Sequence, residues 1–128
     1  MTNEKQEFIL ANELRIGNWV IIISTGQIAC ITSVDKNIGV KVNNSPIYLS
    51  IDDIKPIPVT EEILLKCGFE KDNEYFSLKN LHYNIENKRF YIGNDHVSSG
   101  HNDAYILHLH QLQNLYFALT NQELEIEL

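Results

Sequence analysis

The sequence predicts an α+β protein: a small N-terminal β-barrel-like module of the SH3-like kind, then a helix, an antiparallel β-meander and a C-terminal helix. Three observations lead there. Short β-branched runs broken by polar turns fill residues 18–51, a well-capped helical segment follows a proline-stiffened stretch, and the apolar period changes near residue 110 from that of a strand to that of a helix. The division falls at Pro58, giving a β-rich module over 1–58 and an α+β part over 59–128. At 128 residues the two are expected to pack as one compact unit.

The first strand is NWVIIIS (18–24), which TG at 25 and 26 turns into QIACITSV (27–34). There Ile28, Cys30 and Thr32 alternate with Ala29, Ile31 and Ser33. DKN (35–37) leads to IGVKV (38–42), and NNSP (43–46) to a fourth strand, IYLSI (47–51). DDIKPIP (52–58) reads as a turn and an extended exit, because each proline disfavours helix in the residue before it.

In PVTEEILLKCGF (58–69), Thr60 suits the N-cap, Glu61 and Glu62 complement the positive end of the helix dipole, and Gly68 suits a left-handed C′ position followed by Phe69. Ile63, Leu64 and Cys67 form the expected buried face. Three strands follow, EYFSL (74–78), LHYNIE (81–86) and KRFYIG (88–93), with KDN, KN and ENK marking the turns. After the polar loop NDHVSSGHND (94–103), AYILHL (104–109) is expected as a fourth meander strand. The helix beyond it places Leu109, Leu112, Tyr116 and Leu119 on one face, with Leu115 beside them, and turns Gln111, Gln113 and Asn114 mostly to the other. Asn121 suits a left-handed ending, and ELEIEL (123–128) alternates like an edge strand.

The charge restricts the function classes. Net charge is −7, and beyond Pro58 eleven Asp or Glu face five Lys or Arg. Binding to a phosphate backbone needs clustered Lys and Arg, so nucleic acid is an unfavoured partner. Cys30 and Cys67 form no CxxC pair and are expected as free, buried thiols of a cytoplasmic protein. No apolar run approaches the roughly 20 residues that span a bilayer, and no nucleotide-binding glycine cradle is present.

The candidate chemistry is thin. His108 and His110, with His96, His101, Asp95 and Asp103 from the polar loop, are the residue types that bind zinc, but they match no recognised ligand spacing. With His108 ending a strand and His110 opening a helix, the pair does not share one regular element, and its two-residue spacing guarantees no common face. Ser98, Ser99, His101 and Asp103 are adjacent in a loop, whereas triad members converge from separate places. No cofactor is expected. Gln111, Gln113 and Asn114 are candidates to reach a partner from the outer helix face, or to bond neighbouring strand ends. Trp19 is expected in the core. Tyr75, Tyr83, Tyr91, Tyr105 and Tyr116 are expected to pack between sheet and helix.

RIGNWV near the start, IKPIPVTEEILLKCGFEK in the middle and HQLQNLYFALTNQELEI at the end resemble, in that order, a family of small uncharacterised proteins of Bacteroidetes bacteria and their phages. Members often carry Gly where this chain has Asn121, which agrees with a left-handed cap there. The resemblance implies a phage, prophage or mobile-element setting and carries over no activity. The expected function is therefore a non-enzymatic protein-binding or accessory role that presents an acidic face. A small metal-dependent hydrolase using the loop histidines and a nucleic-acid-associated protein using the barrel are the alternatives.

Overall fold

Residues 13–79, 81–92 and 104–128 are described by a computed structural model, which has two antiparallel sheets and two helices and so bears out the α+β class. The first sheet contains β1 (Trp19–Ile22), β2 (Ile28–Asp35), β3 (Gly39–Val42) and β4 (Ile54–Lys55), in the order β3-β2-β1-β4. The second contains β5 (Glu70–Asp72), β6 (Tyr75–Leu78), β7 (Leu81–Asn84), β8 (Arg89–Ile92) and β9 (Ala104–Tyr105), in sequence order. The helices are α1 (Glu61–Lys66) and α2 (Leu109–Thr120). Among the described residues no helix is long and apolar enough to cross a membrane.

The chain separates into two compact units: Met1–Ile57 with His108–Glu123, and Pro58–Leu107 with Leu124–Leu128. The first break falls between Ile57 and Pro58. The C-terminal helix, expected with the meander, instead belongs to the first unit, where its Gln113 and Asn114 amides bond Trp19 of β1 and the segment before it.

In the first unit, Val20 and Ile22 of β1, Ala29 and Ile31 of β2, Val40 and Val42 of β3 and Ile54 of β4 share a core with Leu14. The period-2 alternation fails after Ile31. The register passes from Ile31 opposite Val42 to Ser33 opposite Lys41, so one extra residue bulges from β2. Trp19, expected in the core, is half-buried, since it alternates with inward Val20 and sits opposite Cys30 on the other face. The expected fourth strand over 47–51 is reduced to one bridge, between Leu49 and Val40. Ser50 accepts a hydrogen bond from the Asp52 N–H and opens a single 3-10 turn, Ile51–Asp53, so the paired strand is β4, which had read as turn and exit. The ladder is linear; no closed barrel appears among the described residues.

In the second unit α1 follows its local chemistry. The Thr60 hydroxyl accepts the Ile63 N–H at 3.2 Å. At the other end the Gly68 N–H donates to Leu65 O and the Phe69 N–H to Leu64 O, with Gly68 at φ +93°, which completes a Schellman ending. Ile63, Leu64 and Cys67 are buried, as the pattern predicts. Phe76, Tyr83 and Phe90 align across β6, β7 and β8 and form one buried row. The Tyr83 hydroxyl donates to Ile106 O at 2.7 Å. β5 has no counterpart among the expected strands: Glu70, Lys71 and Asp72 are all exposed, and only backbone pairing with β6 makes them a strand. The strand expected over 104–109 is cut to β9. The tail 123–128 forms no strand, although Leu124 is buried and the Glu127 N–H donates to Lys66 O.

Candidate functional site

Two places gather polar side chains, one in each unit. In the first unit, α2 meets the segment 13–19 through amides. Gln113, 1% exposed, accepts the Trp19 N–H at 2.9 Å through Oε1 and donates from Nε2 to Gly17 O at 2.9 Å. Asn18, fully buried, donates from Nδ2 to Asn114 Oδ1 at 2.9 Å and accepts the Arg15 N–H at 2.7 Å. Asn114 also accepts from Arg15 Nε and donates to Glu13 O. The Arg15 guanidinium lies 4.6 Å from the Phe117 ring centre and 2.8 Å from a Glu123 carboxylate oxygen. A buried amide must find partners, and the bonds of Gln113 and Asn114 tie the helix to its own unit.

This geometry corrects the reading of α2. Gln113, expected on the outer face with Gln111 and Asn114, is inside, while Leu119, expected inside, is 42% exposed. The Gln111 amide oxygen accepts the His108 N–H at the helix start. Gln113 and Asn114 are thus engaged within the chain, as is the Gln111 oxygen. Asn18 and Arg15 were missed as network members. No local pattern marks them, because their helix partner Asn114 lies nearly a hundred positions away, at separations of 99 and 96.

The histidines divide. His96, His101, Asp95 and Asp103 lie outside the described residues, as do Ser98 and Ser99. His108 and His110 stack with ring centres 5.9 Å apart and 9° between planes. His110 is 1% exposed, with Nε2 3.1 Å from a Glu13 carboxylate oxygen. Burial lowers its pKa from the ordinary 6.5, the Glu13 hydrogen bond and charge oppose that shift, and His108 adds to it. Among the described residues no three His, Cys, Asp or Glu side chains converge as a metal-binding group. The thiols are free. Burial pushes Cys67 up to about 12, and burial followed by the Glu123 charge raises Cys30.

In the second unit, Ser77 Oγ and His82 Nδ1 are 2.8 Å apart across the β6–β7 pair. Both are half-buried on the face opposite Phe76 and Tyr83, where such a bond ties two strands together. Tyr75 and Tyr91 meet edge to face on the same side, their ring centres 6.0 Å apart, while Tyr83 is in the core. Tyr116 is buried in the first unit, and the side chain of Tyr105 lies outside the described residues.

A hollow of about 590 Å³ opens at the C-terminal end of α1. Leu65, 48% exposed, gives it an apolar wall, and Cys67 and Gly68 also line it. Glu62, Glu125 and Glu127 line it together with Lys66. The Lys66 ammonium lies 3.4 Å from a Glu62 carboxylate oxygen, whereas Glu125 and Glu127 make no ion pair among the described residues. The cleft therefore has a negative field beside an apolar surface. The tail that had read as an edge strand supplies two of its three carboxylates. Comparison with protein families, curated proteins and solved structures gives no match for this chain.

Proposed function

We propose that the protein is a non-enzymatic recognition module that binds another protein through the cleft at the end of α1. The observation that carries this reading is the meeting of Leu65 with the unpaired carboxylates of Glu125 and Glu127. A basic, extended segment with one aliphatic side chain matches it: the aliphatic group covers Leu65 while Lys or Arg side chains meet the carboxylates. Complementary charge of this kind sets partner choice and encounter rate more than affinity. The reading extends to an SH3-like character for the first sheet, to a cytoplasmic location, and to the phage or mobile-element setting implied by the resemblance.

The test is fluorescence anisotropy with short labelled peptides, each with one leucine flanked by lysines or arginines, set against glutamate-flanked counterparts. The basic peptides are expected to bind, to weaken as salt is raised, and to lose at least about tenfold in affinity with Glu125→Lys plus Glu127→Lys, since two attractive contacts become repulsive. Equal binding of basic and acidic peptides, or no effect of the double reversal, overturns the proposal.

A further inference from the structure

His110 departs from the pattern of its neighbours. Asn18, Gln113 and Asn114 all find partners, yet His110 Nδ1 is buried with no hydrogen-bond partner among the described residues, while its Nε2 faces Glu13. Glu13 is held by α2 at two points, through His110 and through the Asn114 amide, which donates to the Glu13 carbonyl at 2.8 Å. This arrangement suits a neutral ring whose Nε2–H donates to the carboxylate and whose Nδ1 carries no proton. A second proton would sit on Nδ1, placing a charged donor in the protein interior with no acceptor.

From this geometry we infer that His110 is an acid-sensitive latch: the seam between α2 and the segment 13–18 is closed by the neutral imidazole and released when the ring takes up a proton. The charged and titratable groups around it act in opposite directions. Glu13, from the segment before β1, favours the protonated ring, and the adjacent His108 disfavours it. β1 contributes no charged side chain, and Arg15 and Glu123, the next charges along, are paired with each other. Burial sides with His108, and Nδ1 is buried with no acceptor among the described residues. Because the folded ring holds its proton less tightly than the unfolded one, the stabilising effect is complete above about pH 6.5. It is lost as the pH falls towards the lowered folded value.

The experiment measures the folding constant by urea titration between pH 5 and 7.5 for the wild type, His110→Gln and Glu13→Gln. Glutamine keeps a donor near Nε2 and cannot titrate. The wild type is expected to lose up to about tenfold in folding constant per pH unit below 6.5 in excess of H110Q, the limit for one proton. E13Q, which removes the opposing charge, should deepen that loss. Parallel profiles for wild type and H110Q overturn the latch, and so does a wild type that gains on H110Q as the pH falls, because the Glu13 pair would then dominate. If H110Q fails to fold, NMR titration of the wild-type ring decides. An Nε2–H tautomer with a midpoint below 6.5 supports the latch, and a midpoint at or above 6.5 overturns it.

Discussion

Gln113 shows how much one side chain can hold in place. Its oxygen accepts the Trp19 N–H and its nitrogen donates to Gly17 O, so an apolar replacement of similar size leaves a partly buried donor and a partly buried acceptor without these partners. Gln113→Leu is expected to cost about 2–4 kcal/mol in urea unfolding, the desolvation penalty of two such groups. Gly39 is a second sensitive position, for steric reasons. It stands at φ +140°, and an added Cβ would collide with the Leu49 carbonyl at the bridge to Val40. Gly39→Ala should cost about 2–3 kcal/mol, as strained backbone sites do. The thiols provide a third residue-level test. With Cys67 at about 12 against an ordinary 9.0, its thiolate fraction at pH 8 is down by about a thousandfold. Mass-spectrometric mapping after alkylation of the folded protein should find Cys30 labelled first; preferential labelling of Cys67 would contradict its burial.

Among the elements, α1 stands on its caps, because six residues are too few to be helical alone. Thr60→Ala should cost about 1 kcal/mol by leaving the Ile63 N–H without its acceptor, measured as a shift in the urea midpoint at unchanged slope. This helix was legible in full, because cap, dipole and Schellman chemistry are written within ten residues of one another. β4 and β5 were not. They are two and three residues long, and β5 buries nothing, so no hydrophobic period could mark them. α2 lies between these cases. Its start and its left-handed ending at Asn121 were legible from period and residue type, but its buried face was not, because Gln113 is drawn inward by Gly17, Asn18 and Trp19, about 95 positions away in the chain. The cleft was illegible for a related reason. Glu125 and Glu127 gain meaning only once the tail returns beside Lys66.

At the scale of the whole molecule the first unit is discontinuous, so its stability depends on a segment some fifty residues beyond its sheet, from Ile57 to His108. Residues up to Ile57 supply its sheet, and His108–Glu123 supply α2. Without the helix, Gly17, Asn18 and Trp19 lose their amide partners, and the burial of Leu109, Leu112 and Tyr116 is lost with it. Burying each such side chain is worth about 1.5–3 kcal/mol, so three of them alone approach the 5–15 kcal/mol by which a whole domain is ordinarily stable. A chain ending at Leu107 is therefore expected to leave the first unit unfolded. Trp19, the only tryptophan, reports on that unit directly, since its backbone N–H is bound to Gln113. Its emission in the truncated chain should move to that of the urea-unfolded protein, and a peptide spanning residues 104–123 should restore the native spectrum in a saturable titration. A truncated chain with native Trp19 emission would show that the sheet stands without α2, and the amide network would then be an accessory to the fold rather than its support.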